Sequence, residues 1–545
     1  MEREKVEADV LCVGGGPAAL MAAIHAAEGG AKVVVADKGN TLRSGAAATG
    51  NDHIACYLPK VHGDLEALVR AYVRGGLGRH ADMVRALFET SSQVVKLWES
   101  WGIPMKYKGN YEFAGHAYPG SIVPPTHMKF GGENLKPTLT KEAEKRGVKI
   151  LNRVMVFELL RDDGVSGAVG VHTREEKLVV FQAKSVVLGT GILTRLYPSP
   201  TPSWMFNIGR SPATTGDGRA MAYRIGAELV NLELPLRWAG PKYFIRHGKA
   251  TWIGVFRNPQ GEPVGPFVTK PDRRYGDATS DVYSTLFEDY HKSGKGPVYM
   301  DCGGISDEDW EYMLHWFRHE GITSLINYFK DEPLDPRESP VEFTTYEIMP
   351  MGGVYHNEKA ETSVKGLYAA GDELQGGSLS GAANFGWIAG ENAAKYVKEA
   401  KTPNIEKEKT RIDERESQIQ AILSREVGAT WKEVNLALQQ IMYDYAGSVR
   451  SETLLRAGLN SLRRLREKAY AMMIAKNQHE LMRCMEALNL LDAGELVFIM
   501  AMERKETRGN HIRPDFPFTD PRMEKMLIIK KIDDTPVLEW REVRR

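Results

Sequence analysis

Two glycine-rich segments of this 545-residue chain carry residue types at spacings that suit a dinucleotide. The first is Gly14-Gly15-Gly16-Pro17-Ala18-Ala19, entered from the apolar run 8–13 and followed by an Ala-rich stretch to about Ala27. Gly14 permits a tight turn, and Gly16 lets the backbone approach a pyrophosphate. Ala19 allows close helix–strand packing, while the helix opened by Pro17 and Ala18 offers free N–H groups and a partial positive charge. A second apolar run, 32–37, ends in Asp37, where a carboxylate accepts ribose hydroxyls. The other segment begins at Gly366-Leu367-Tyr368-Ala369-Ala370, a short strand delivering Gly371 and Asp372 to a turn. Then Gly376-Gly377-Ser378-Leu379-Ser380-Gly381-Ala382-Ala383-Asn384-Phe385-Gly386 reads as a glycine turn before a helix from Trp387 to about Glu399. Such a helix start can face an electron-rich ring edge. A cofactor gripped near residue 14 and again near residue 372 is a long one, which favours FAD over NAD.

The elements that position these residues begin with a strand–turn–helix–strand unit, read as a Rossmann-type βαβ. The length leaves room for two to four domains at ~100–200 residues each. Lys+Arg and Asp+Glu stand at 71 each, so the basic excess expected of a nucleic-acid or anionic-membrane partner is missing. No apolar run reaches the ~18–20 residues of a transmembrane segment. The acidic N-terminus is unlike a signal peptide, and a cytoplasmic setting is expected. Cys12, Cys56, Cys302 and Cys484 are scattered, so no disulfide framework, zinc site or iron–sulfur cluster is expected within the chain. A single dinucleotide fingerprint leaves no second site for NAD(P)H.

Further motifs follow in order: Asp37-Lys38-Gly39-Asn40-Thr41-Leu42-Arg43-Ser44-Gly45-Ala46, Gly131-Gly132-Glu133-Asn134-Leu135-Lys136-Pro137, Val186-Val187-Leu188-Gly189-Thr190-Gly191, Thr215-Gly216-Asp217-Gly218, and the stretch from Arg504 to Asp515. Together they resemble the fumarate reductase/succinate dehydrogenase flavoprotein superfamily, and within it the alpha subunit of adenylylsulfate reductase. The resemblance implies flavin contacts from Lys38, Arg43, Ser44, Gly45 and Gly50, from Val154, and from Gly189, Thr190 and Gly191. It implies others from Thr215, Asp217, Gly371, Asp372, Ser380, Ala383, Asn384 and Phe385. Gly45 stands where respiratory members carry the histidine that bonds the flavin, so a non-covalent FAD is expected.

The implied architecture is α/β: a Rossmann-like FAD-binding domain (1–235 and 345–400), an inserted α+β capping domain (236–344), a helical domain (405–510) and an extended tail (511–545). Composition agrees independently. Segment 236–344 is rich in aromatics, Gly and Pro and shows no long helical pattern, whereas 405–510 has no Pro and only five Gly and repeats apolar residues at helical spacing. The Lys- and Glu-rich stretch 401–416 reads as an exposed connector or helix start, a plain solvated face.

The family's substrate-binding histidine falls at Ile348 and its arginine at Asn384, and the asparagine beside the reductase flavin falls at Ala55. Fumarate and adenylylsulfate reduction proper therefore lose expected residues. The candidates that remain are Arg237, placed by resemblance as a substrate clamp, His53 beside Asp52 in the loop near the flavin, and His127 with Glu133 around a glycine pair. Tyr355-His356 reads as an exposed loop, and Cys56 as an inert thiol. The expected function is an FAD-dependent oxidoreductase subunit exchanging electrons between a small organic or sulfur-containing substrate and an iron–sulfur, ferredoxin-like partner. Alternatives are a substrate-free electron relay, a fumarate or adenylylsulfate reductase proper, and an oxygen-using oxidase of the L-aspartate oxidase kind.

Overall fold

The computed structural model describes residues 1–74, 79–113, 125–199, 205–242, 252–264, 269–273, 286–373 and 378–545. Its centre is β1 (Glu2–Val13), with β2 (Val33–Asp37) and Lys177–Leu188 in parallel on either side. β1 starts well before the apolar run at residue 8, because its polar first half pairs along Lys177–Ala183. Lys149–Asn152 extends the sheet beyond β2 in parallel, and Val165–His172 and Val154–Arg161 extend the other side antiparallel. Leu367–Ala369 adds in parallel to the end of Lys177–Leu188, completing seven strands. This order brings the carboxyl ends Val13, Asp37, Leu188 and Ala369 together, where open α/β sheets hold their ligands.

α1 (Pro17–Glu28) leaves the first of those ends and packs on the helix Ser378–Glu399. That helix begins nine residues before Trp387, correcting the glycine turn expected over 378–386. Gly386 and Gly390 serve helix contact: a Cβ on either would lie 2.6 Å from the Ala18 carbonyl oxygen or 2.3 Å from that of Ala22. Close backbone approach outweighs their helix penalty of about 1 kcal/mol each.

The segment after residue 236 forms an antiparallel four-stranded sheet, ordered Ala239–Pro241, Val341–Thr345, Val298–Asp301, Val255–Arg257. Its core is aromatic, with Trp252, Phe256, Phe317 and Phe343 buried together. It also carries a 14-residue helix, Asp307–Glu320, where no long helix was expected. The signals are local: the Ser306 side chain accepts from Asp309 N–H, and Gly321 ends the helix at φ 83°.

Helices Lys409–Ser424, Trp431–Ala446, Glu452–Met472 and Gln478–Glu503 follow. The last is buried around most of its surface and is the axis of this layer. Two expectations change here. Stretch 401–416 is no plain solvated face, since Arg411 and Arg415 reach the buried Glu158 at 2.5 and 3.3 Å. The tail folds back as a hairpin, Met526–Ile532 with Thr535–Arg541, which pairs with Leu229–Val230. Among the described residues, no helix is long and apolar enough to cross a membrane.

Candidate functional site

The converging strand ends surround a cavity of about 510 Å³. Gly14 sits at φ +107°, and a Cβ there would lie 2.4 Å from the Gly189 carbonyl oxygen, so the turn admits only glycine. A Cβ on Gly15 would strike Asp37 at 2.6 Å. A Cβ on Gly16 would meet nothing nearer than the Gly189 carbonyl oxygen at 3.8 Å, and Gly16 lines the cavity together with Pro17 and Ala18. The space its missing side chain leaves is therefore open to a ligand at the start of α1. Asp37 is buried and accepts a 2.6 Å hydrogen bond from Ser44 Oγ.

Lys136, which sequence reasoning passed over inside its motif, is fully buried beside this turn. Its Nζ donates to the Gly15 carbonyl and, at 3.4 Å, to Ser44 Oγ. Burial pushes its ammonium down to about 8 against the opposing pull of Asp37. A buried cation at a glycine turn is suited to phosphate.

Lys38 binds Asp217 at 2.7 Å, Glu486 at 2.8 Å and Thr215 Oγ at 3.1 Å. Glu486, on Gln478–Glu503, also takes Arg195 and Arg483 at 2.6 and 2.8 Å. Burial alone would raise its carboxyl, but Lys38 and the arginines hold it well below the usual range. This network ties the helical layer to the cavity floor. Thr190 donates from N and Oγ to Glu373, and Arg219 joins the carbonyls of Gly191, Gly352 and Asp372.

At the other end the cavity is lined by Asp52, His53, His127, Arg210, Trp238 and Glu320. His53–Ala55 and His127–Lys129 pair antiparallel, which puts the two imidazoles 5.5 Å apart, centroid to centroid. Asp52 bridges His53 Nδ1 at 2.5 Å and Lys129 Nζ at 2.8 Å, with Lys129 fully buried and 5.8 Å from the Trp316 ring centroid. Burial favours the neutral Asp52 carboxyl, but Lys129 and then His53 hold it below the usual carboxylate range.

Of the residues expected to hold the flavin, Gly14, Gly16, Pro17, Ala18, Asp37, Lys38, Ser44, Gly45, Val154, Gly189, Thr190, Gly191, Asp217, Gly371, Asp372 and Ser380 line this cavity. Ala19, Arg43, Gly50, Thr215, Ala383, Asn384 and Phe385 stand outside its lining. Arg43 holds the Glu133 carbonyl at 2.8 Å, and Gly50 makes room for the cap, since a Cβ there would lie 2.2 Å from the His319 carbonyl oxygen. Gly376 and Gly377 lie outside the described residues.

Two catalytic candidates also fall elsewhere. The Glu133 side chain is exposed, 3.9 Å from His319 Nδ1. Arg237 turns to the Tyr346 carbonyl at 3.4 Å, while its neighbour Trp238 lines the cavity under Arg210. Tyr355-His356 is not an exposed loop: His356 is buried 4.7 Å from the Phe385 ring, and burial pushes its imidazole to about 4. Cys56 is buried, and burial pushes its thiol up to about 12.

A glycine turn backed by Asp37 and a buried lysine, opening on a cavity whose lining reaches His53 and Trp238, fits an adenine dinucleotide. The family described as FAD binding domain matches residues 9–386, and the one described as fumarate reductase flavoprotein C-term matches 435–545. One of the subunits of the fumarate reductase (CoM/CoB) of Methanothermobacter marburgensis is 26% identical over 567 residues, spanning 97% of this chain and 98% of that protein. The structure of adenylylsulfate reductase from Archaeoglobus fulgidus superimposes with a TM-score of 0.83 at 25% identity, covering 100% of this chain and 97% of that one. A chain of E. coli quinol fumarate reductase shares the fold, with a TM-score of 0.81 at 23% identity over 99% and 97% of the two chains. The fold, the site and these relatives agree: the chain belongs to the FAD-binding-domain family and is an FAD-dependent oxidoreductase of the fumarate reductase/adenylylsulfate reductase flavoprotein group.

Proposed function

We propose that this chain is the flavin-bearing catalytic subunit of an enzyme that exchanges electrons between a small organic or sulfur-containing substrate and an iron–sulfur partner. The observation that carries the reading is a single cavity running from the Gly14–Asp37 turn to His53, His127, Arg210 and Trp238. Cofactor cradle, proton donors and a cation thus share one space. We assign the flavin domain to 1–235 and 345–400, the cap to 236–344, and the helical layer to 405–510.

Gly14, Gly16 and the start of α1 would hold the pyrophosphate, with Lys136 as counter-charge and Asp37 on a ribose. Ser44, Gly45, Thr190, Gly371, Asp372 and Ser380 would line the flavin's path, and Val154 the other end. Bound FAD supplies two-electron exchange with a substrate and one-electron exchange with a metal cluster. The protein's own part is proton handling and positioning. Asp52, kept ionised by Lys129, holds His53 at Nδ1, and we assign this imidazole as the group that trades a proton with substrate. The cap helix Asp307–Glu320 brings Glu320 to the cavity wall, against water. Gly45 offers no side chain for a bond to the flavin, so FAD is held non-covalently and acid precipitation should release it intact.

The partner reading is supported by relatives that are themselves subunits, such as the M. marburgensis protein. A relay without a substrate is favoured by one observation, the loss of the family's cationic residues at Ile348 and Asn384. Anaerobic purification of the tagged chain from its native cell tests both readings. Catalysis predicts an iron-containing companion and saturable, substrate-dependent bleaching of the flavin. Bleaching by protein donors alone would replace catalysis with relay, and turnover with free NADH and no companion would end the partner reading.

A further inference from the structure

We infer that Arg210, seated on Trp238, is the anion-holding group of the cleft, and that the substrate presents a carboxylate, sulfonate or similar oxyanion to it. The inference rests on the catalytic reading above and names the substrate class. The Arg210 guanidinium carbon lies 4.0 Å from the Trp238 ring centroid, and both residues line the cavity. Stacking covers one face of the guanidinium, and among the described residues no hydrogen bond takes up its in-plane N–H donors. Among the described residues no carboxylate lies within ion-pair distance of Arg210, though burial raises the Glu347 carboxyl and the charge and backbone N–H of Arg210 both help hold it down. The buried arginines elsewhere behave differently: Arg195 is held by Glu486, Arg219 by backbone carbonyls and Glu373, and Arg504 by Glu233 and Glu506. They serve the fold, whereas Arg210 is set in the wall with its hydrogen-bonding edge unassigned.

The mounting is rigid on both sides. Gly209 N–H donates to both oxygens of the buried Glu347, at 3.1 and 2.9 Å, which fixes the backbone entering Arg210 and occupies that carboxylate. Tyr346 N–H donates to the Trp238 carbonyl at 2.7 Å, and its ring fills the space over Gly209, where a Cβ would meet Cδ2 at 2.6 Å. Two consecutive residues therefore register the arginine against its tryptophan. A planar fork so restrained loses little freedom when it binds a planar oxyanion bidentately. His53 and His127 line the same cavity, so one substrate can span clamp and proton donors.

The test is binding to the FAD-loaded protein, with malonate, methanesulfonate and inorganic phosphate as probes, read by flavin absorbance and calorimetry. At least one probe should bind saturably. Arg210→Met should weaken its Kd by about 10- to 100-fold, the loss expected for a charge-assisted pair. Arg210→Lys should fall between, keeping the charge without the fork. Arg237→Met should leave the Kd unchanged, and unaltered flavin content in each variant checks the fold. An unchanged Kd in Arg210→Met, a loss confined to Arg237→Met, or no binding by any probe overturns the inference. Failure of the catalytic reading looks different: probes bind through Arg210, yet no substrate bleaches the flavin.

Discussion

Replacing Lys129 with methionine keeps the chain length of the side chain and removes an ammonium 2.8 Å from Asp52 Oδ2, in a pair whose side chains are 0% and 1% exposed. At that distance the attraction is about 6 kcal/mol for an effective dielectric of 20. Much of this offsets the desolvation of the two ions, so the pair's net contribution is smaller. Removing one partner leaves the other's desolvation uncompensated, at about 3–5 kcal/mol. With His53 still 2.5 Å from Asp52, we expect the lower end, about 3 kcal/mol at pH 7. Asp52 is held below its unfolded value of about 3.9, so its contribution is present above that pH and is lost as pH falls through the folded value. In Lys129→Met the depression shrinks, and the gap between variant and parent should narrow below about pH 4. The assay is urea unfolding of the FAD-loaded protein from pH 3 to 8, followed by far-UV circular dichroism. Asp52→Asn with Lys129→Met should recover most of the loss, because a neutral pair buries no charge. A Lys129→Met variant within about 0.5 kcal/mol of the parent at pH 7, or a double variant that merely sums the singles, would refute the buried pair. With the pair would go its hold on His53.

Gly390→Val places a Cβ 2.3 Å from the Ala22 carbonyl oxygen; it should destabilise by about 1–3 kcal/mol and lower the flavin-to-protein absorbance ratio, since α1 carries the glycine turn. Lys136, pushed down to about 8, is expected to regain its proton when cofactor phosphates arrive, so FAD binding between about pH 8 and 10 should take up a proton, seen by calorimetry in buffers of different ionisation enthalpy. Cys56, with its thiol pushed up to about 12, should resist alkylation at pH 8 in the folded protein and react fully in urea.

What was legible in the sequence is what chain neighbours decide. Gly14 and Gly16 shape a turn out of residues beside them, and Asp37 ends the next strand. What was not legible depends on partners far along the chain. Gly386 looks like a turn glycine until α1 lies against it, and at Gly386 and Gly390 alike a Cβ would break that contact. Arg237 and Trp238 show the finer limit. Resemblance placed a substrate arginine at 237, but neighbouring side chains of an extended segment point to opposite sides. Here Arg237 faces the Tyr346 carbonyl and Trp238 faces the cavity, a one-residue phase that spacing alone does not fix. Arg210 stands in no motif. Its place comes from Tyr346 and Glu347, which belong to a strand end more than a hundred residues away.

Long-range packing also lets the scaffold persist at two positions that depart from the residues the resemblance implies. Ile348, at the histidine position, is buried in the apolar core and adds no polar group to the cavity. Asn384, at the arginine position, donates from Nδ2 to the Ser380 carbonyl at 2.8 Å, one turn back on its own helix. Both substitutions turn inward and leave Gly14 and Lys38 in the cavity lining, with Lys136 buried behind the turn. A cleft stripped of those two groups would have nothing to orient an anion, yet this one has a cation on the 209–210 segment and a proton donor backed by Asp52 and Lys129. Because these enter from different elements than the lost pair, they approach a substrate from a different direction. On the function proposed above, the cation at Arg210 and the His53 imidazole, more than the inherited fold, would decide what the cleft accepts.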